Sequence, residues 1–354
     1  MTSAIDATAW LRDMKAAESD KLARLETEAV HDEAAREVLA DVYEGAGRSK
    51  DAALLRGEIF PLPPKRPRKR IEKLTSTEEN KMRGWAQRWI EIGLRHGPTT
   101  AIDVAQFRAG ICAAYEAAKL APPKRIVWTT SPLAAVLAGP IAMHVLGSGA
   151  LNVAVPGAIR QAVGIAVRGA VDVAVDVAVD DAVSGAVDVA VRDAVSDAVS
   201  DAVDDAVSGA VSGAVSDAVD DAVSGAPSVI RDNWYRYLGG QPWVGWGYGY
   251  RGPAYVSFLQ DVCRLQLAPA IERAARAYQA ICRSCWWLWP HSDFVIVAPR
   301  PMRIERDADG RLTLAEWPDG SRVERGKDGT YRLNVDVRKV LAMLGGEREG
   351  KEGS

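Results

Sequence analysis

Four cysteines in 354 residues are too few to staple a chain of this size, so no disulfide scaffold is expected. The four histidines, at 31, 96, 144 and 291, are scattered. No H-E-x-x-H, Walker or G-x-G-x-x-G pattern appears, so the common metal-hydrolase and nucleotide signatures are missing and no cofactor is expected. No apolar run reaches membrane-spanning length, because Asp, Ser or Gly interrupts the longest one every few residues. The start of the chain lacks the basic-then-apolar layout of a signal peptide, and a soluble, cytoplasmic protein is expected. A net charge of −3 offers no general reason for nucleic-acid binding.

What is present is core material and one long repeat. Hydrophobic content of 48% and charge of 26% are ordinary for a folded chain of two or three domains. Residues 1–60 read as helical, with Leu39, Val42 and Tyr43 on one face, a break at "GAGR" and a resumption from Ala52 to Leu55. The stretch "AREVLADVYEGAGRSKDAALLRGEIFPL" resembles the short helical repeat-companion domain, which carries a pattern like LADxLEExGxxxxAxxLR. That resemblance implies an adaptor, not a catalyst. Residues 61–74 follow as an extended, basic, proline-rich linker containing "KRPRKR" (Lys65 to Arg70).

A helical cap is expected over 75–149. Thr75 or Ser76 caps a first helix whose Trp85, Trp89, Ile92 and Leu94 recur at helical spacing. A second helix runs through "TAIDVAQFRAGICAAYEAAKL", "RIVWTTSP" is strand-like, and "PLAAVLAGPIAMHVL" is apolar and mostly helical.

The repeat occupies 150–227, where alanine returns at every fourth position from Ala150 to Ala226, twenty times in all. Valine or another aliphatic residue almost always follows it, and the remaining two positions vary among Asp, Ser, Gly and Arg. Two fixed and two free positions describe a buried pair and an exposed pair. Four residues overshoot a helical turn by roughly 40°, so one straight helix would lose its apolar face after a few tetrads. Two solutions survive: short helices broken at Ser-Gly pairs, or a narrow β-solenoid with one tetrad per side. A strand would point Ala and Val to opposite faces, whereas a helix holds both in one sector, which favours helices. The Asp residues lack the spacing of calcium loops and read as a solvated acidic face.

An aromatic and helical C-terminal cap is expected over 228–298, then a β-hairpin element over 299–344 and a disordered tail at 345–354. Asp309-Gly310 and Asp319-Gly320 are turn signals within that element. The order YLGGQ-W, SF-DVC, WW-WP with a following F-IV--RP, and WPDG resembles a bacterial family of unknown function with central tetrapeptide repeats. The segment Trp85 to Leu120 and "TTSPLAA" fit that family's N-terminal part, so the resemblance spans roughly 72–320. It implies no transferable functional residue. Its members often continue after WPDG with a His-Gly-containing strand, where this chain has "SRVERGKDGTYRLNVDVRKVL".

The reading is therefore a mostly α protein with helical flanks around the repeat. It presents an acidic variable face to a protein partner, with no catalytic activity evident; for the enzyme alternative, Cys282, Cys285 and His291 are the only residues to name. Nucleic acid would meet it only through the basic run 65–70. The competing class is an enzyme or small-ligand binder using the aromatics Trp234, Trp243, Trp246, Tyr248 and Tyr250 as a stacking platform; capping of the repeat is the simpler use for them. Cys282 and Cys285 have C-x-x-C spacing, but they end an amphipathic helix before "WWLWP" and read as buried structural thiols. A zinc site would recruit His291 and, in space, Cys263. The tetrad assignment has a direct test. Val199→Asp should destabilise by several kcal/mol, on the order of a buried unpaired charge, while Ser200→Arg should leave the melting temperature nearly unchanged; equal effects would refute it.

Overall fold

A computed structural model describes residues 7–58, 67–68, 71, 73–135, 138, 214, 251–291 and 293–335. Helices predominate among them, accompanied by two small sheets. The repeat, apart from Ala214, and the tail at 345–354 lie outside these residues. No helix among the described residues is long and apolar enough to cross a membrane.

Three helices open the chain: α1 (Ala7–His31), α2 (Glu33–Gly45) and α3 (Ser49–Leu55). Asp32 starts α2 by accepting from the Ala34 and Ala35 amides, the side-chain cap that a short helix needs. Gly47, at φ 76°, ends it in a conformation where any side chain would be strained. Leu39 and Tyr43 face inward as expected, but their buried companions are Arg36 and Ala40, not Val42, which is 43% exposed. The 36/39/40/43 stripe closes the helical sector one residue away from Val42.

Two longer helices follow, α4 (Ser76–Gly93) and α5 (Ala101–Ala117). Each begins with a reciprocal capping box: Thr75 with Glu78, and Thr100 with Asp103. The alanines and leucines of α1–α3 pack on Ala101 and Ile102 at the start of α5. The expected extended linker is fastened to the body at Arg68. Its amide donates to the Arg264 carbonyl, its carbonyl accepts from Gln266, and its guanidinium bonds the Cys263 carbonyl and pairs with Glu78. Nearby Ile71 and Leu74 are core residues. The apolar positions that follow pull this part of the basic run down onto the body.

Strand β1 (Arg125–Trp128) lies before the repeat. After it come α6 (Arg251–Ser257), a π-helical turn (Phe258–Val262), α7 (Pro269–Ser284), β2 (Trp287–Pro290) and β3 (Phe294–Ala298). Part of the segment expected as a helical cap is thus strand. β3 is central, parallel to β1 in the register Arg125↔Phe294 and antiparallel to β2 in the register Trp287↔Ala298. The remaining strands, β4 (Arg303–Arg306), β5 (Leu312–Glu316), β6 (Arg322–Arg325) and β7 (Tyr331–Asn334), form an antiparallel meander of four, with a third turn beyond the two expected at Asp309-Gly310 and Asp319-Gly320. Its turns carry Gly310, Gly320 and Gly329, all at positive φ.

One core gathers residues from α4, α5, α6, α7 and both sheets, and Ala135 and Ala214 belong to it. Ala214 is helical and 5% exposed. Among the described helices, α5 packs most extensively against α7. A Cβ on Gly110 would sit 2.8 Å from the Ala277 carbonyl oxygen and 3.1–3.2 Å from Ile281 and Ala280 side-chain atoms. Backbone yields to such a clash only by moving a whole helix. Gly110→Ala should therefore cost about 1–3 kcal/mol although alanine favours helix. Gly84→Ala, in α4 with nothing within 4 Å of the added atom, should stabilise by roughly 1 kcal/mol. Urea unfolding of both variants separates the two signs, and a stabilised Gly110→Ala would contradict this packing.

Candidate functional site

Two of the four thiols, Cys282 and Cys285, lie where α7 runs into β2. Cys282 lies in the last turn of α7 and Cys285 is its C-cap, with the Cys285 amide donating to Ile281. Both thiols are buried and, like Cys112 and Cys263, unbridged. Burial pushes the Cys285 thiol up to about 12 and Cys282 well above its ordinary value, with Cys285 adding to the rise at Cys282. Arg300 pulls both down, but burial wins. A thiolate is scarce under such conditions, so neither sulfur is a ready nucleophile or metal ligand.

His291 follows β2 and is buried, its ring stacked on Phe294 with centroids 4.4 Å apart. Its Nδ1 accepts from the Asp293 amide, and its carbonyl accepts from Tyr115 Oη at 2.7 Å. Burial lowers the imidazole below its ordinary value, which holds it neutral. Cys263 sits elsewhere, beside Arg68 and Glu78, with its thiol pushed up to about 12 by burial. Among the described residues no group of three or more His, Cys, Asp or Glu side chains is placed to hold a metal, so Cys282, Cys285 and His291 do not assemble into such a set. Trp234, Trp243, Trp246, Tyr248 and Tyr250 lie outside the described residues.

The residues that do the binding work inside this core are others. Arg300, 4% exposed, donates from Nη1 to the Ile92 carbonyl at 2.7 Å and from Nη2 to the Cys282 carbonyl at 2.8 Å. One guanidinium thereby ties the C-terminal turns of α4 and α7, where the carbonyls and helix dipoles are negative. Ser257 Oγ accepts from Trp85 Nε1 at 3.1 Å and Trp89 Nε1 at 2.8 Å, joining α4 to α6. Thr130 Oγ1 donates to Asp319, whose other oxygen accepts from the Ser321 amide and hydroxyl. Arg276 bonds Asp261, Glu272 and Gln279, and Gln260 closes that ring through Glu272 and Gln279.

Some of these residues fall in the motifs that carried the resemblance: Ser257 and Asp261 in SF-DVC, Arg300 in RP, Asp319 in WPDG and Thr130 in TTSPLAA. The motifs were visible in the sequence, but the roles of these residues were not, because most of their bond partners are distant along the chain. Comparison with protein-family models, curated proteins and solved structures yields no match.

The thiols make a pH prediction. A thiol held protonated above its unfolded value of 9.0 contributes its full stabilisation below that pH and loses it as pH rises toward about 12. Alkaline unfolding should therefore begin above pH 9 in the wild type. Cys282→Ala/Cys285→Ala should flatten that slope at a packing cost of about 1–3 kcal/mol. Rapid modification of these two thiols in the native protein at pH 7 would contradict the shielding.

Proposed function

We propose that the chain is a scaffold whose folded core holds a tetrad repeat at both ends and offers the repeat's variable acidic pairs to a protein partner. The observation that carries this reading is the parallel pairing of β1 with β3. The strand before the repeat and a strand after it lie side by side, and Ala135, ahead of the repeat, and Ala254, beyond it, share one core. A segment fastened at both ends to a rigid body presents its surface with less orientational freedom than a tail, which lowers the entropic cost of binding. The tetrads are read as short helices with alanine inward; the helical, buried state of Ala214 supports that choice over a β-solenoid. The bacterial tetrapeptide-repeat family suggested by the motifs is part of the same proposal.

The test is affinity capture from lysate with the full-length protein and with a variant carrying Asp197→Asn, Asp201→Asn, Asp204→Asn and Asp205→Asn. A partner retained by the wild type in a salt-sensitive manner and depleted about tenfold or more by the variant would support the scaffold. Identical capture by both proteins would overturn it.

A further inference from the structure

The short connection between β2 and β3 gathers attachments from three parts of the fold. The His291 amide donates to the Phe294 carbonyl at 2.8 Å, and the His291 carbonyl accepts from Tyr115 Oη on α5 at 2.7 Å. Lys124, immediately ahead of β1, reaches the same connection twice. Its amide donates to the Asp293 carbonyl at 3.1 Å, and its ammonium pairs with the Asp293 carboxylate at 2.8 Å. A strand reversal, a helix and the entrance to the parallel ladder therefore meet at one place.

The His291 ring lies at the centre of these attachments. It is 6% exposed and stacked on Phe294 at an interplanar angle of 20°, and its Nδ1 accepts from the Asp293 amide at 3.2 Å. An amide donates only to a ring nitrogen that carries no proton, so this bond specifies the neutral tautomer with its hydrogen on Nε2. The proton that makes an imidazolium then has one place to go, which is Nδ1. There it opposes the Asp293 N–H and abolishes the bond. Turning the ring over brings Cδ2–H to the same position and restores nothing. The titratable groups around the ring are Asp293 on its own connection, Lys124 ahead of β1 and paired with Asp293, and Tyr115 on α5, bonded to the His291 carbonyl. Asp293 favours the cation, but burial outweighs it and holds the imidazole below its ordinary value of 6.5.

We propose that His291 is an acid-sensitive latch on the ladder: protonation at Nδ1 opens the β2–β3 connection and, through Lys124 and Tyr115, slackens the hold of β3 on β1. The latch concerns how the ladder closes and stands whether or not the repeat meets a partner. Its sign follows from the two states. The opened connection takes up its proton near pH 6.5 and the closed one resists it, so the closed form is fully stable above that pH. Its stability falls as pH drops from there toward the lowered value of the closed form, below which the loss levels off.

The test is hydrogen exchange of the full-length protein read by mass spectrometry from about pH 7.5 to 4.5, corrected for the intrinsic exchange rate at each pH. Below pH 6.5, opening of residues 124–129 and 287–298 should rise by up to about tenfold per pH unit, while α2 and α3 keep their protection. His291→Asn puts an amide oxygen in the place of Nδ1, an acceptor for the Asp293 amide that does not titrate. It should remove the acid step and leave protection at pH 7.5 intact. Should that variant fail to fold, His31→Gln/His96→Gln/His144→Gln makes His291 the one histidine. The step should then persist, and the His291 ring-proton resonance should titrate along with it. An acid step missing from the wild type or the triple variant, retained in folded His291→Asn, or arriving only near about pH 4, where carboxylates titrate, would overturn the proposal.

Discussion

The parallel ladder between β1 and β3 is the constraint on which the rest of the molecule depends. It joins residues on either side of the repeat, so closing it confines everything between them. Closing a loop of that length costs about 4–5 kcal/mol in chain entropy before any contact repays it. Four paired residues (Arg125 to Trp128 against Phe294 to Val297) supply only a few hydrogen bonds, each with a net contribution of about 1 kcal/mol. The ladder therefore needs reinforcement at both ends. Tyr115 donates to the His291 carbonyl, Lys124 pairs with Asp293, the Thr129 amide and hydroxyl both reach the Val297 carbonyl, and Thr130 ties into the Asp319 turn. Burial of β2 and β3 among the tryptophans stabilises the ladder more than these bonds do, since β3 is covered along its whole length.

Helix ends are the second recurrent problem, and the chain solves it repeatedly with buried donors. Arg36 donates to Ala29 and Val30 at the end of α1, Gln106 donates to Leu54 and Glu58 around the end of α3, and Arg300 serves α4 and α7 together. A carbonyl left bare in the interior costs about 1–3 kcal/mol, so one guanidinium satisfying two helices removes two such penalties. It also fixes the angle between those helices, and Gly110 then lets α5 approach α7 to backbone contact. Polar residues in motifs such as RP and WPDG are accordingly best read as joints.

Much of this was legible where the cause is local. A cap at Thr75 or Ser76, the break at "GAGR" and the Asp-Gly turns follow from chemistry confined to four or five residues; the structure places the cap at Thr75, ends α2 at Gly45 and has both turns. The raised thiols were foreshadowed by the neighbouring "WWLWP". What the sequence hid depends on partners far away. Nothing near "RIVW" says that it pairs with "FVIVA", nothing in "APRP" says that Arg300 turns inward, and a basic run looks solvated until Arg264, Gln266 and Glu78 are brought to Arg68. The same limit applies to Ser257: a serine before phenylalanine reveals its two tryptophan donors only when α4 and α6 meet.

The tryptophans decide where an interaction surface should be sought. Trp286 lies between Trp287, stacked at 5.6 Å and 8°, and Trp317, tilted at 40° and also 5.6 Å away. The indole nitrogens of Trp286 and Trp317 are buried with no hydrogen-bond partner among the described residues. An unmade bond of this kind costs about 1–3 kcal/mol, whereas burying some 200 Å² of ring returns about 5 kcal/mol. The rings are therefore stable as packing, and the orphaned N–H groups are a tolerated cost instead of a vacancy awaiting a ligand.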